Sequence, residues 1–284
     1  MNGICKLCQK ESLLEVSHIL PKFIFKWITK TSATGKLRVV GKPNVPVQDG
    51  IKLHLLCASC EDKFSKYETW FANNFFHPSI KGLKINYDYN ETLFKFVISL
   101  FWRTIVINLD REIYNETPLK SELLKCENEL REFLLTDKYP TNFNQSYVNM
   151  TSYVSNAPKE IKGINHYFTR SADTQIVFND KDDKMYFYCI IPYFFFVGNI
   201  KGLNPSDFVN SMINPIGGHF LTTSMMTEEP SVSNFMVSQI NEANSMTLSE
   251  NQQNILERKI LENIDKYLDS KSFEATFLDR LRED

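Results

Sequence analysis

Apolar positions change their spacing several times along the chain, and each change marks an element. Leu13-Leu14-Glu15-Val16 is a short apolar run fit for a strand that ends at Ser17-His18. Pro21 then suits the first turn of a helix, where its missing N–H costs nothing. In that helix Phe23 and Trp27, with Ile24 and Ile28, are expected to face inward, while Lys22, Lys26 and Lys30 recur every four residues as one exposed row. Gly35, Gly41, Pro43, Pro46 and Gly50 break the next stretch into turns and short extended pieces. Residues 51–56 alternate as a strand does. From Glu61 the helical period returns, with Phe64, Tyr67, Phe71 and Phe75 on one face and Glu61 and Glu68 on a neighbouring stripe. Pro78 and Gly82 mark its end, and a domain boundary is expected there.

Beyond that point Asn90 is placed to cap a helix over 91–109 that is apolar nearly all round, as a buried central helix is. Lys95 and Arg103 inside it argue against a membrane span. Residues 119–135 read as an amphipathic helix with Leu123, Leu124, Leu130 and Leu134 inward. Strands are expected over 174–178, 185–191 and 193–197, the first two joined as an antiparallel hairpin by the polar turn 179–183. Asn204-Pro205-Ser206 is expected to open a short helix to Ile213. Ser249 with Gln252 forms a capping box for a long helix presenting Ile255, Leu256, Ile260, Leu261, Ile264 and Leu268, and a last helix covers 272–281. The expected class is α+β: an N-terminal treble-clef zinc module over 1–82, then a larger mixed helical and antiparallel-sheet domain over 83–284.

At 284 residues, 43% hydrophobic and 23% charged, the composition is that of an ordinary globule, without repeat, low-complexity tract, Gly-rich phosphate loop or Gly-x-Ser-x-Gly elbow. The net charge of −2 hides an asymmetry, since residues 1–82 carry 12 Lys/Arg against 6 Asp/Glu. The remainder therefore carries 20 against 28. Between Leu20 and Lys42 there are six basic residues and no acid, a field suited to a polyanion or, more plainly, a solvated lysine face. No basic region followed by an apolar run opens the chain, so a reducing, cytoplasmic setting is expected, which favours metal over disulfides.

Cysteine usage changes the picture most. Cys5-x-x-Cys8 and Cys57-x-x-Cys60 are two knuckles separated by 48 residues, the pattern of one four-thiolate zinc site. Cys126 and Cys189 stand alone in apolar surroundings and read as packing residues. His77, His166 and His219 have no spacing that makes a site, and His219, after two glycines, reads as a loop residue.

Cys-x-x-Cys, then Ser17-His18-Ile19-Leu20-Pro21, then Leu56-Cys-x-x-Cys opening a helix, resembles the HNH nucleases of the ββα-metal class over roughly residues 1–76. The resemblance implies structural cysteines, His18 as general base, Ser17 and Glu61 at the two metal-ligand places, and Lys52 near the residue that orients the base. Ser17 is a weak ligand and Lys52 cannot accept a hydrogen bond from imidazole, whereas Glu61, helped by Glu68, suits Mg²⁺ or Mn²⁺. His54 is a further candidate participant. The expected activity is hydrolysis of DNA or RNA, with Lys22, Lys26 and Lys30 on the nucleic-acid backbone and a role in bacterial defence against phage implied by the resemblance alone. Two rivals are a zinc module that only binds nucleic acid and one that docks a protein partner, with residues 83–284 as a sensing or regulatory domain that could also contact a protein partner, and no membrane involved.

Overall fold

The computed structural model describes residues 1–109, 111–112 and 117–283. It is an α+β protein whose paired strands are antiparallel. The N-terminal elements are β1 (Asn2–Ile4), β2 (Glu11–His18), α1 (Lys22–Lys30), β3 (Leu37–Val39), β4 (Lys42–Val47), β5 (Lys52–Cys57) and α2 (Ala58–Phe71). β1, β2 and β5 form one sheet in the order β1-β2-β5. Strand β2 runs two residues past Val16, so Ser17 and His18 are its last rungs, with His18 opposite Lys52 and Leu14 opposite Cys57.

Pro21 caps α1, whose buried face is Ile24, Phe25 and Ile28. The expected inward pair Phe23 and Trp27 is only half-buried, lying at the flank of that face and edge-on to Phe76. Lys22, Lys26 and Lys30 are exposed on the opposite side. The end of α1 is held from far along the chain, as Arg170 donates to the Ile28 carbonyl and to Thr31 Oγ1, both at 2.7 Å. Helix α2 continues through one π turn, Ala72–Phe76, which brings both Phe75 and Phe76 into the core.

β6 (Asn86–Asn90) leads into α4 (Glu91–Asn108) after the single turn α3 (His77–Ser79). Asn90 Oδ1 accepts the Thr92 amide, as its cap position predicts, and the helix behind it is buried nearly all round. α5 (Thr117–Thr136) packs on it through Leu123, Cys126, Leu130 and Leu134. Leu124, expected inward, is 48% exposed because it sits off that stripe.

β7 (Ser146–Met150), α6 (Ile164–Arg170), β8 (Asp173–Asn179), β9 (Lys184–Ile191) and β10 (Phe194–Lys201) follow, with sheet order β7-β10-β9-β8. The hairpin turn over 179–183 is where the polar run placed it. Both faces of this sheet are covered, which is why β9 and β10 read as unbroken apolar runs. Phe187, Cys189, Phe194 and Phe196 face α4, while Tyr186, Tyr188, Phe195 and Val197 join a second cluster with α6 and α7 (Pro230–Ser245). Cys126 and Cys189 are fully buried thiols.

Other expectations are corrected. The helix expected from Asn204 to Ile213 is one 3₁₀ turn, Pro205–Asp207, followed by β11 (Phe208–Val209), because Asn204 caps only Ser206 and the chain then pairs with β13 (Met226–Thr227). His219 lies in β12 (Gly217–Leu221), paired with β6, where its Nδ1 meets Asp88 Oδ1 at 2.8 Å. Ser249 accepts the Gln252 amide as expected, but the helix it starts, α8 (Glu250–Leu261), stops short and restarts as α9 (Ile264–Leu268). Leu261, Ile264 and Leu268 are exposed, and α10 (Lys271–Glu283) completes the chain.

One contiguous core cluster runs from Cys5 to Phe220 across residue 82. Phe71 of α2 stacks on Phe96 of α4 at 4.1 Å and meets Phe194 of β10 at 5.2 Å. Among the described residues no helix is long and apolar enough to cross a membrane.

Candidate metal centre and candidate active site

The first knuckle is the tight turn between β1 and β2. The Cys5 amide donates to Lys10 O, the Gln9 amide returns to Cys5 O, and Gln9 closes the turn in the left-handed region at φ 60°. The Lys6 amide donates to Leu55 O, which fastens this turn beside the second knuckle. There Cys57 is the N-cap residue of α2 and Cys60 lies in its first turn. The four sulfurs lie within 4.8 Å of one another, and Cys8 Sγ to Cys57 Sγ is 3.8 Å. A tetrahedral ion with Zn–S bonds of about 2.3 Å sets its sulfurs about 3.8 Å apart, so the arrangement fits a metal ion such as zinc. A hydrogen bond with Ser59 pulls the Cys57 thiol down to about 6, while burial pushes Cys8 and Cys60 up. All four cysteines are free thiols.

At the other end of β2 the side chains of a second group meet. Ser17 is fully buried, and its hydroxyl donates to Glu61 Oε2 at 2.7 Å. Ser17 therefore positions Glu61, instead of standing as an independent ligand. His18 Nε2 donates to Asp49, at 3.1 Å from Oδ1 and 3.0 Å from Oδ2. Lys52 meets the same carboxylate at 3.0 Å. The residue that orients His18 is thus Asp49, three positions before Lys52. Burial alone would raise the Asp49 carboxyl, but hydrogen bonds from His18 and Lys52 bring it down to about 2. A carboxylate only accepts, so Nε2 carries a proton, and in the neutral imidazole Nδ1 is then the nitrogen with the lone pair. Nδ1 has no hydrogen-bond partner among the described residues.

Glu68, expected to assist Glu61 with a divalent ion, is taken up elsewhere. Its Oε1 accepts from Arg103 Nη1 at 2.8 Å, and burial raises its carboxyl against the opposing Arg103 charge. His54, raised as a participant, is exposed with Nδ1 on the Leu14 carbonyl at 3.1 Å. Among the described residues the four cysteines are the only set of three or more His, Cys, Asp or Glu side chains gathered as metal ligands. A hard divalent ion at the second group would find its carboxylate ligand in Glu61, with water and substrate oxygens to complete its shell.

Asp49 also lines an open cleft of about 590 Å³, with Lys22, Lys26 and Thr29 of α1, Val47, Gln48, Gly50 and Lys52 as its other walls. Lys30 is not among them. The floor is kept close by Gly50, because a Cβ there would lie 2.3 Å from the Phe25 ring. The sequence signal for Asp49 was present: it is the sole acid between Glu15 and Glu61, and Asp-Gly marks a turn. The chain matches no protein-family model, no curated protein and no solved structure.

Proposed function

We propose that this chain is an HNH-like, metal-dependent nuclease that hydrolyses phosphodiester bonds of DNA or RNA at His18, on a module held by one structural zinc at Cys5, Cys8, Cys57 and Cys60. The observation that carries this is the His18–Asp49 pair at 3.0 Å, formed with a wall residue of a cleft whose other walls include three lysines.

Lys22, Lys26 and Lys52 bind non-bridging phosphate oxygens, and Asp49 fixes the His18 ring with Nδ1 unprotonated. Nδ1 takes a proton from water as the water oxygen bonds to phosphorus and the P–O bond to the leaving 3′ oxygen breaks. Asp49 stabilises the imidazolium that results. Glu61, aimed by Ser17, is the residue that would hold Mg²⁺ or Mn²⁺, which when bound neutralises charge on the leaving oxygen.

Nicking of supercoiled plasmid with Mg²⁺ or Mn²⁺, abolished by EDTA and by His18→Ala, is the expected result. The second reading, a module that only binds nucleic acid, draws on the single carboxylate at the ion position. Salt-sensitive binding with no nicking in either metal would select it.

A further inference from the structure

α4 is buried nearly all round, and Arg103 lies in its second half with 2% of its surface exposed. All three of its guanidinium nitrogens donate, through four hydrogen bonds. Nε donates to the Ser99 carbonyl at 3.1 Å and Nη2 to Ser99 Oγ at 3.4 Å. Nη1 donates at 2.8 Å both to Glu68 Oε1 and to the main-chain carbonyl of His18. The group also stands over the Phe64 ring at 5.3 Å.

Burying a guanidinium costs several kcal/mol unless its partners are well placed, and packing alone would be served by leucine or methionine. What the charge gains here is a fixed grip on the last residue of β2, just before the chain turns through Ile19-Leu20-Pro21 into α1. His18 is held at its side chain by Asp49 and at its carbonyl by Arg103, two residues 54 positions apart in sequence.

Resting on the nuclease reading of His18, we propose that Arg103 is a positioning residue for that base, aimed by Glu68, so that the hydrolytic centre is completed by the helix that follows the zinc module. A base displaced by about 1 Å can lose about 10²-fold in rate. Lysine at 103 keeps a charge but not the planar fork that reaches Glu68, Ser99 and the His18 carbonyl together.

The experiment uses the full zinc-loaded chain. His18–Ile19 is the only His–Ile pair in the sequence, so protein carrying carbonyl-¹³C histidine and ¹⁵N isoleucine gives one signal from a directly bonded ¹³C–¹⁵N pair, that of the carbonyl that Arg103 binds. Arg103→Lys is expected to shift that signal and to lower single-turnover cleavage about 10- to 100-fold, with nucleic-acid affinity and zinc content unchanged. In a His18→Ala background the same substitution is expected to cause no further loss of residual cleavage, because a residue acting through His18 has nothing left to act on. An unmoved signal, or an equal fractional loss in both backgrounds, overturns the proposal. Should Arg103→Lys fail to fold, Glu68→Gln carries the test with the same two readouts. A wild-type chain that never cleaves defeats the nuclease reading, while the carbonyl signal still decides whether Arg103 governs His18.

Discussion

The two ends of strand β2 teach different things about how a site is written into a chain. At one end the four thiols come from two turns, each complete within four residues, and converge within 4.8 Å. At the other, Ser17, His18, Asp49, Glu61, Glu68 and Arg103 come from two strand rungs, a loop and two helices. The first centre is local chemistry repeated once. The second exists only after the fold has formed, so its energetics depend on packing at a distance.

Replacing a cysteine should separate the two centres most sharply. Cys57→Ser is expected to release the ion and unfold the N-terminal elements, because binding energy in such sites is folding energy of about 10 kcal/mol or more. Metal analysis and circular dichroism of the purified variant check it. His18→Ala leaves that centre intact and should lower cleavage by about 10²–10⁴-fold, with zinc still at one per chain. Asp49→Asn should fall by a comparable factor in plasmid nicking, since an amide that can donate as well as accept no longer fixes the ring's tautomer.

A smaller effect tests the cleft. Charge reversal of Lys22, Lys26 and Lys30 together should abolish retention of nucleic acid, while in single alanine variants Lys30 should matter least, because it lies outside the cleft walls. Fluorescence anisotropy across a salt series reads both, and the slope of log affinity against log salt should flatten by about 0.9 per lost duplex contact. Equal effects at all three lysines would make the row a diffuse field.

The smallest expected effect is a pH dependence. Asp49 titrates near about 2 in the folded chain against an ordinary value of 3.8, so its contribution is present above about pH 4 and lost as pH falls through about 2. It amounts to about 2 kcal/mol. Denaturant melts of wild type and Asp49→Asn should therefore differ most at neutral pH and converge on acidification.

Much of the fold was legible because its signals are local. The caps at Asn90 and Ser249, the turn over 179–183 and the all-round apolar α4 each declare themselves within one turn of chain. β7 and α7 were missed, one a five-residue strand and the other a polar-rich helix with three buried side chains. In the site, the cysteines were legible from spacing, while His18 and Glu61 were singled out only through the resemblance to the HNH motif. Asp49 left only its turn signal and its place as the sole acid between Glu15 and Glu61, and neither assigns it a partner until the strand register sets Lys52 opposite His18. Arg103 was read only as an argument against a membrane span, since its partners lie 85 and 35 residues away.

The aromatic contacts from Phe71 to Phe96 and Phe194 bear on what a cut in the backbone would do. A protease that nicks the exposed stretch around Lys81 and Gly82 breaks the chain between two halves of one core. The fragments should co-elute on gel filtration and part only in denaturant, and the smaller piece, expressed alone, would present Phe64, Phe71, Phe75 and Phe76 to water and precipitate.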